Sequence, residues 1–186
     1  MPSVPFAGIQ TIIATNVGQP VFGTTTTSAA SPTYDQFVGN MQGANPSTTV
    51  LTVISTKGFN PGQYVLVGIS AQLGSANPNL GQVKVVTSST SMTVRGLNQS
   101  VASGAFVILA EAAESITISL SATDAGQMYV GNAYTVSPTD QSVIDTITPG
   151  YRFHVETTDT SHAQNTANYW IAGTVNDTFI SSFTQG

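Results

Sequence analysis

The feature that most constrains this chain is a recurrence of short β-prone runs punctuated by turn residues. TTVLTVIS from Thr48, QYVLVGIS from Gln63, QVKVVTS from Gln82, SMTVRGL from Ser91 and AFVILA from Ala105 are rich in β-branched residues. SITISLS, MYVGNAYTV, SVIDTI, YRFHVETT, YWIAGTV and TFISSFT follow. Gly, Pro, Asn and Ser separate them at intervals of roughly 8–15 residues, the spacing of strands in sandwiches and barrels. Helix-favouring residues collect only around AEAAES from Ala110, too short to hold a helix alone. Strands that do not alternate with helices disfavour a parallel α/β sheet. The expected fold is therefore all-β, an antiparallel sandwich or barrel, either jelly-roll-like or built as two small stacked β modules.

The pattern divides the chain into three. Residues 1–47 contain GQPVFGTTTTSAASPTYDQFVGNMQGANPS, with four consecutive threonines and several breakers. They read as an extended N-terminal arm or loose edge strands ordered against a partner, with an ordinary first hairpin as the alternative. Residues 48–112 form one block of strands, a β-barrel module. Residues 113–186 form a second β module or a continuation of the sandwich. The join at Glu111–Glu114 has no Gly or Pro and makes a poor flexible linker.

Charge decides which functions such a chain can serve. Charged residues are 7% of the 186, against about 25% in an ordinary soluble domain. Serine and threonine, roughly a quarter of the chain, take their place. Threonine is β-branched and polar, so it suits the wet face of a strand. With 40% hydrophobic residues the chain has the means to fold. Its four bases, Lys57, Lys84, Arg95 and Arg152, are too few to track a phosphate backbone, which argues against nucleic-acid binding. No apolar run reaches the roughly 18 residues of a membrane span. The start, MPSVPFAGIQTIIATNVG, has no base before its apolar part and is broken by Pro2, Pro5 and Gly8, so it does not read as a signal peptide. The absence of cysteine removes disulfides, thiolate metal sites and thiol nucleophiles.

The densest cluster of chemistry is HVETTDTSH, which holds both histidines, His154 and His162, with Glu156 and Asp159 between them. Such ligand types suit zinc. In an extended strand, however, Tyr151, Phe153 and Val155 share one face and Arg152, His154 and Glu156 the other. His154 and Glu156 then lie ~7 Å apart along the strand. Arg152 on the same face opposes a cation and offers Glu156 a partner. The expectation is a solvated strand face and its exit loop rather than a metal site. Catalytic motifs are missing too. GISAQ at Gly68 ends in glutamine where a nucleophile elbow needs glycine, and there is no phosphate loop or GxGxxG. The acid pairs Glu111 with Glu114 and Asp140 with Asp145 read as exposed loop acids, and the sequons at Asn98 and Asn176 as chance matches. Trp170, beside Tyr169, reads as core or interface; stacking on a sugar ring is the other use such a pair could have. No catalytic residue, cofactor site or metal site is expected, and no enzymatic activity.

The middle block carries a recognisable grammar over about residues 58–110. Phe59, Pro61 and Gly62 lead into a strand at Tyr64–Val67. Val83 and Val85 mark a second, Met92–Val94 a third, and Leu97 with a turn at Gly104 precedes a closing strand at Phe106–Leu109. Gly62 and Gly104 supply turn conformations that side chains resist. This block, about a third of the chain, resembles small β-barrel modules of tailed-bacteriophage virion proteins, including head decoration and tail components. The resemblance implies a structural part of a virus particle. The expectation is a capsid decoration or cement protein, homotrimeric, assembled in the host cytoplasm and bound to the major capsid protein lattice on the outer capsid surface. The alternative is a tail or fibre receptor-binding or carbohydrate-binding module. Low charge agrees with assembly, because a lone β protein keeps its edges apart with charge, whereas interface cores are depleted in it.

Overall fold

The computed structural model describes residues 8–13, 18–34, 47–73, 79–157 and 163–185. It is nearly all β and antiparallel throughout. The chain divides into two compact units, one inserted in the other. The inserted unit is Gly23–Ala110; the split unit joins Met1–Phe22 to Glu111–Gly186. Strands β1 (Ile9–Ile12) and β2 (Gln19–Pro20) open the split unit. The inserted unit follows with β3 (Gly23–Thr25), β4 (Thr33–Tyr34), β5 (Ser47–Thr52), β6 (Tyr64–Gly68), a single helical turn α1 (Ser70–Leu73), β7 (Asn79–Ser88), β8 (Ser91–Arg95) and β9 (Phe106–Leu109). The split unit resumes with β10 (Ala112–Ala113), β11 (Ser115–Leu120), β12 (Met128–Gly131), β13 (Val143–Ile147), β14 (Arg152–Glu156), β15 (Gln164–Asn165), a 3₁₀ turn (Thr166–Asn168), β16 (Trp170–Gly173) and β17 (Thr178–Thr184).

The inserted unit is one seven-stranded sheet, ordered β3-β9-β6-β7-β8-β5-β4. Alternation sends Leu51, Val65, Val67, Val83, Met92 and Val94 to a fully buried face. Gly81 lies among them because a Cβ there would stand 2.5 Å from Val94 Cγ1. The sheet curls until its two sides meet. Thr26 bridges Val53, Thr27 N–H donates to Thr52 O at 2.8 Å, and Ile54 N–H to Thr25 O at 2.9 Å. This is a bridge and not a ladder, so no barrel closes. The Thr26 hydroxyl anchors this end of β3 to the turn before β9. It donates to Ala102 O at 2.8 Å and accepts from Ala105 N–H at 2.9 Å while 2% exposed. Gly62 and Gly104 have φ of +95° and +79°, the left-handed turns that the sequence implies.

The split unit is a sandwich-like pair of four-stranded sheets, β1-β17-β11-β14 and β13-β12-β16-β2, with the small ladder β10-β15. Ile116, Ile118 and Leu120 of β11 and Phe179 and Phe183 of β17 are buried on one sheet; Met128, Val130 and Ile171 are buried on the other. Phe22 and Phe183 meet edge to face with centroids 5.3 Å apart.

Where described, residues 8–13 and 18–34 supply edge strands: β1 pairs with β17, β2 with β16, β3 with β9 and β4 with β5, each at the end of its sheet. The first strands complete sheets whose other members lie far along the chain, a pairing that local composition does not reveal. Residues 35–46 lie outside the described residues. The stretch AEAAES forms no helix, in keeping with its shortness: Ala112 and Ala113 pair with Asn165 and Gln164 as β10. Tertiary pairing outweighs a weak intrinsic preference.

Candidate functional site

The histidine stretch begins on β14, an outer strand of its sheet. Pairing with β11 sets His154 opposite Thr117, Arg152 opposite Ser119 and Glu156 opposite Ser115. All three ionisable residues are exposed, on the face the alternation assigns them. His154 Nδ1 is 2.8 Å from Thr117 Oγ1, and His154 Nε2 is 3.9 Å from Glu156 Oε2. Glu156 therefore pairs with its strand neighbour and not with Arg152. Asp159 and His162 lie outside the described residues. Among the described residues no group of three His, Cys, Asp or Glu side chains could hold a metal ion. Phe153 and Val155 are half-buried on the opposite face, but Tyr151 is 70% exposed and is not core. It precedes β14, in a turn where Gly150 has φ +85° and Tyr151 N–H donates to Thr148 O.

The acid pairs differ from simple exposed loop acids. Glu111 is half-buried and accepts from Gln185 Nε2 at 3.0 Å; Glu114 is half-buried as well. Asp140 Oδ1 accepts from Ser142 N–H at 2.6 Å. The Ser142 hydroxyl beside it and the Ser142 backbone N–H together hold its carboxyl below the ordinary value. Asp145 is exposed and accepts from Thr146 N–H. The aromatic pair is core: Trp170 is 4% exposed and Tyr169 6%, so neither offers a ring face to a sugar. Burial raises the Tyr169 phenol, which donates to Gln164 Oε1 at 2.8 Å. A shallow cavity of about 270 Å³ is lined by Gln127, Tyr129, Pro138, Gly173 and Thr174, none of them an acid, base or nucleophile pair suited to catalysis.

A further feature is a surface. On the inserted unit, alternation leaves Val50 61% exposed, and the register places it level with Thr93 and Val85 across β5, β8 and β7. The neighbouring row is Thr48, Arg95, Gln82 and Tyr64. Arg95 Nε donates to Gln82 Oε1 at 2.8 Å, which fixes the guanidinium along the sheet. Ile54, just past β5, is 65% exposed. A face of Val, Tyr and Ile among hydroxyls and one tethered cation suits a contact with another macromolecule. The signal was present in the sequence, as apolar residues on both parities of TTVLTVIS; only the register shows that they align across three strands. No helix among the described residues is long and apolar enough to cross a membrane. Protein-family models, curated proteins and solved structures were all compared with this chain, and none matches.

Proposed function

We propose that this protein is a non-enzymatic structural component of a virus particle, a tailed-phage capsid decoration or cement protein that stabilises the head by binding the major capsid protein lattice. The observation that carries this reading is the outward face of the inserted unit, where Val50, Val85 and Tyr64 stand exposed among threonines in a chain with so few charges. Such a face binds by shape and hydrogen bonds without desolvating ions. The resemblance of residues 58–110 to phage virion modules supplies the context and implies a location on the outer capsid surface. The buried Tyr169 and Trp170 count against a carbohydrate-binding module built on them.

Immunogold labelling of the source particles tests the location. Label over the head surface supports the reading, label on the tail moves the protein to the tail, and unlabelled particles overturn the virion assignment. The contact face is tested by a Val50→Glu, Val85→Glu variant. Both side chains are exposed, so the expected result is normal far-UV circular dichroism and loss of co-sedimentation with heads.

A further inference from the structure

Strand β14 is the end of its sheet: β11 lies on one side, and among the described residues no strand lies on the other. A free edge is a template for another strand, and proteins commonly blunt it with lysine, proline or a bulge. Β14 has no lysine or proline, and its pairing with β11 is unbroken over five residues. The companion edge β13 differs. Its ladder with β12 is irregular, and Asp145 at its middle would face a copy of itself.

The sequence of β14, Arg-Phe-His-Val-Glu, is complementary to itself when run antiparallel. A twofold axis at His154 sets Arg152 opposite Glu156 of the second copy, and Glu156 opposite Arg152 of the second copy. Both ion pairs fall on the solvated face, where opposite charges directly across a ladder stabilise it. On the other face Phe153 meets Val155 of the second copy. Each is half-buried in the single chain, so the added strand covers the remainder. Shifting the centre by one residue loses both ion pairs.

We propose that two copies of this chain join edge to edge along β14, in antiparallel register about His154, doubling the four-stranded sheet. The interface is isologous, each patch binding its own copy. It makes the self-association twofold in place of the trimer that the phage resemblance implies, and it does not depend on the virion reading. The only basic residue of the split unit, Arg152, thereby acquires a partner of its own.

Sedimentation equilibrium of the full chain in ~0.15 M salt, where the screening length is about 8 Å, reads the proposal. The wild type is expected to show a monomer–dimer equilibrium. Arg152→Glu or Glu156→Arg alone places two like-charge pairs in the interface and weakens the dimer by about tenfold or more. The double variant restores both pairs in swapped order and recovers dimerisation to within roughly threefold of wild type. Monomer at every concentration, equal constants for all four proteins, a trimer indifferent to the swap, or a double variant no better than the singles overturns it. Hydrogen exchange of the wild type gives a readout free of mutation. The β14 amides must gain protection as concentration rises; protection independent of concentration overturns the proposal too.

Discussion

The inserted and split units solve the same problem, a charge-poor β chain, in opposite ways. Residues 23–110 hold three of the four bases and one of the nine acids, a net +2; the split unit holds one base and eight acids, a net −7. The inserted unit wraps one sheet around Val, Leu and Met, and anchors the end of β3 to the turn before β9 with a buried threonine hydroxyl. The split unit opposes short sheets and fills them with aromatic side chains, as in the Phe22–Phe183 and Phe153–Tyr169 pairs. Stability in the first rests on many small side chains and on a polar anchor. In the second, large buried rings such as Phe179 and Phe183 join an aliphatic core of Ile116, Ile118, Met128 and Ile171. The difference teaches where each unit is fragile, and it puts the negative charge on the split unit.

The largest effect is expected at one of those rings. Phe179 is wholly buried, and its strand joins β1 to β11. Phe179→Ala should cost about 3–5 kcal/mol through lost burial and the cavity left behind. Hydrogen exchange read by mass spectrometry should accelerate in β11 and β17 and leave β6–β8 unchanged. Equal acceleration in both units would show that they unfold as one body and dissolve the comparison.

Two threonines of the inserted unit sharpen it with opposite signs. Thr26→Val deprives the Ala102 carbonyl of a donor and leaves Ala105 N–H with only its longer bond to Ala102 O. The expected loss is about 1–3 kcal/mol. Thr49 is 1% exposed, and its hydroxyl has no hydrogen-bond partner. Thr49→Val keeps the shape and removes a desolvated hydroxyl, so it should raise the denaturation midpoint by the equivalent of about 1 kcal/mol. Urea unfolding of the two variants checks both. If they move in the same direction, hydroxyl satisfaction is not what distinguishes Thr26 from Thr49.

Those threonines also mark the limit of the sequence. Strand existence was legible, because alternation and β-branching recur locally and fix which face is buried. Gly62 and Gly104 were legible as turns, since their left-handed φ demands glycine. The solvated face of Arg152, His154 and Glu156 followed from parity alone. Threonine as a wet-face residue did not hold at Thr26 and Thr49, which alternation turns inward; a residue that is both polar and β-branched serves either face. The enlistment of residues 9–12 and 19–20 by β17 and β16 was illegible, because partners more than a hundred residues away leave no local mark. Asn79 was missed as well, although its partners lie only 19 and 20 residues on. It is buried, its Nδ2 donates to Gln99 O, and its Oδ1 accepts from Asn98 N–H, a role visible only once β7 and the loop after β8 meet.

The smallest effect tests the electrostatic half of the comparison. The Asp140 carboxylate is held below its ordinary value of 3.8, first by the Ser142 side chain and then by its backbone N–H. A carboxyl depressed in the folded state stabilises fully above the unfolded value, and the contribution fades as pH falls through the folded one. Asp140→Asn should therefore lower the thermal midpoint slightly at neutral pH, and the gap from wild type should close on acidification. Among the described residues the inserted unit has no acid to compare, since Asp35, its one acid, lies outside them. A gap that stays constant with pH would mean that Ser142 serves Asp140 as a turn former alone, and that the negative charge of the split unit does not reach its stability through this residue.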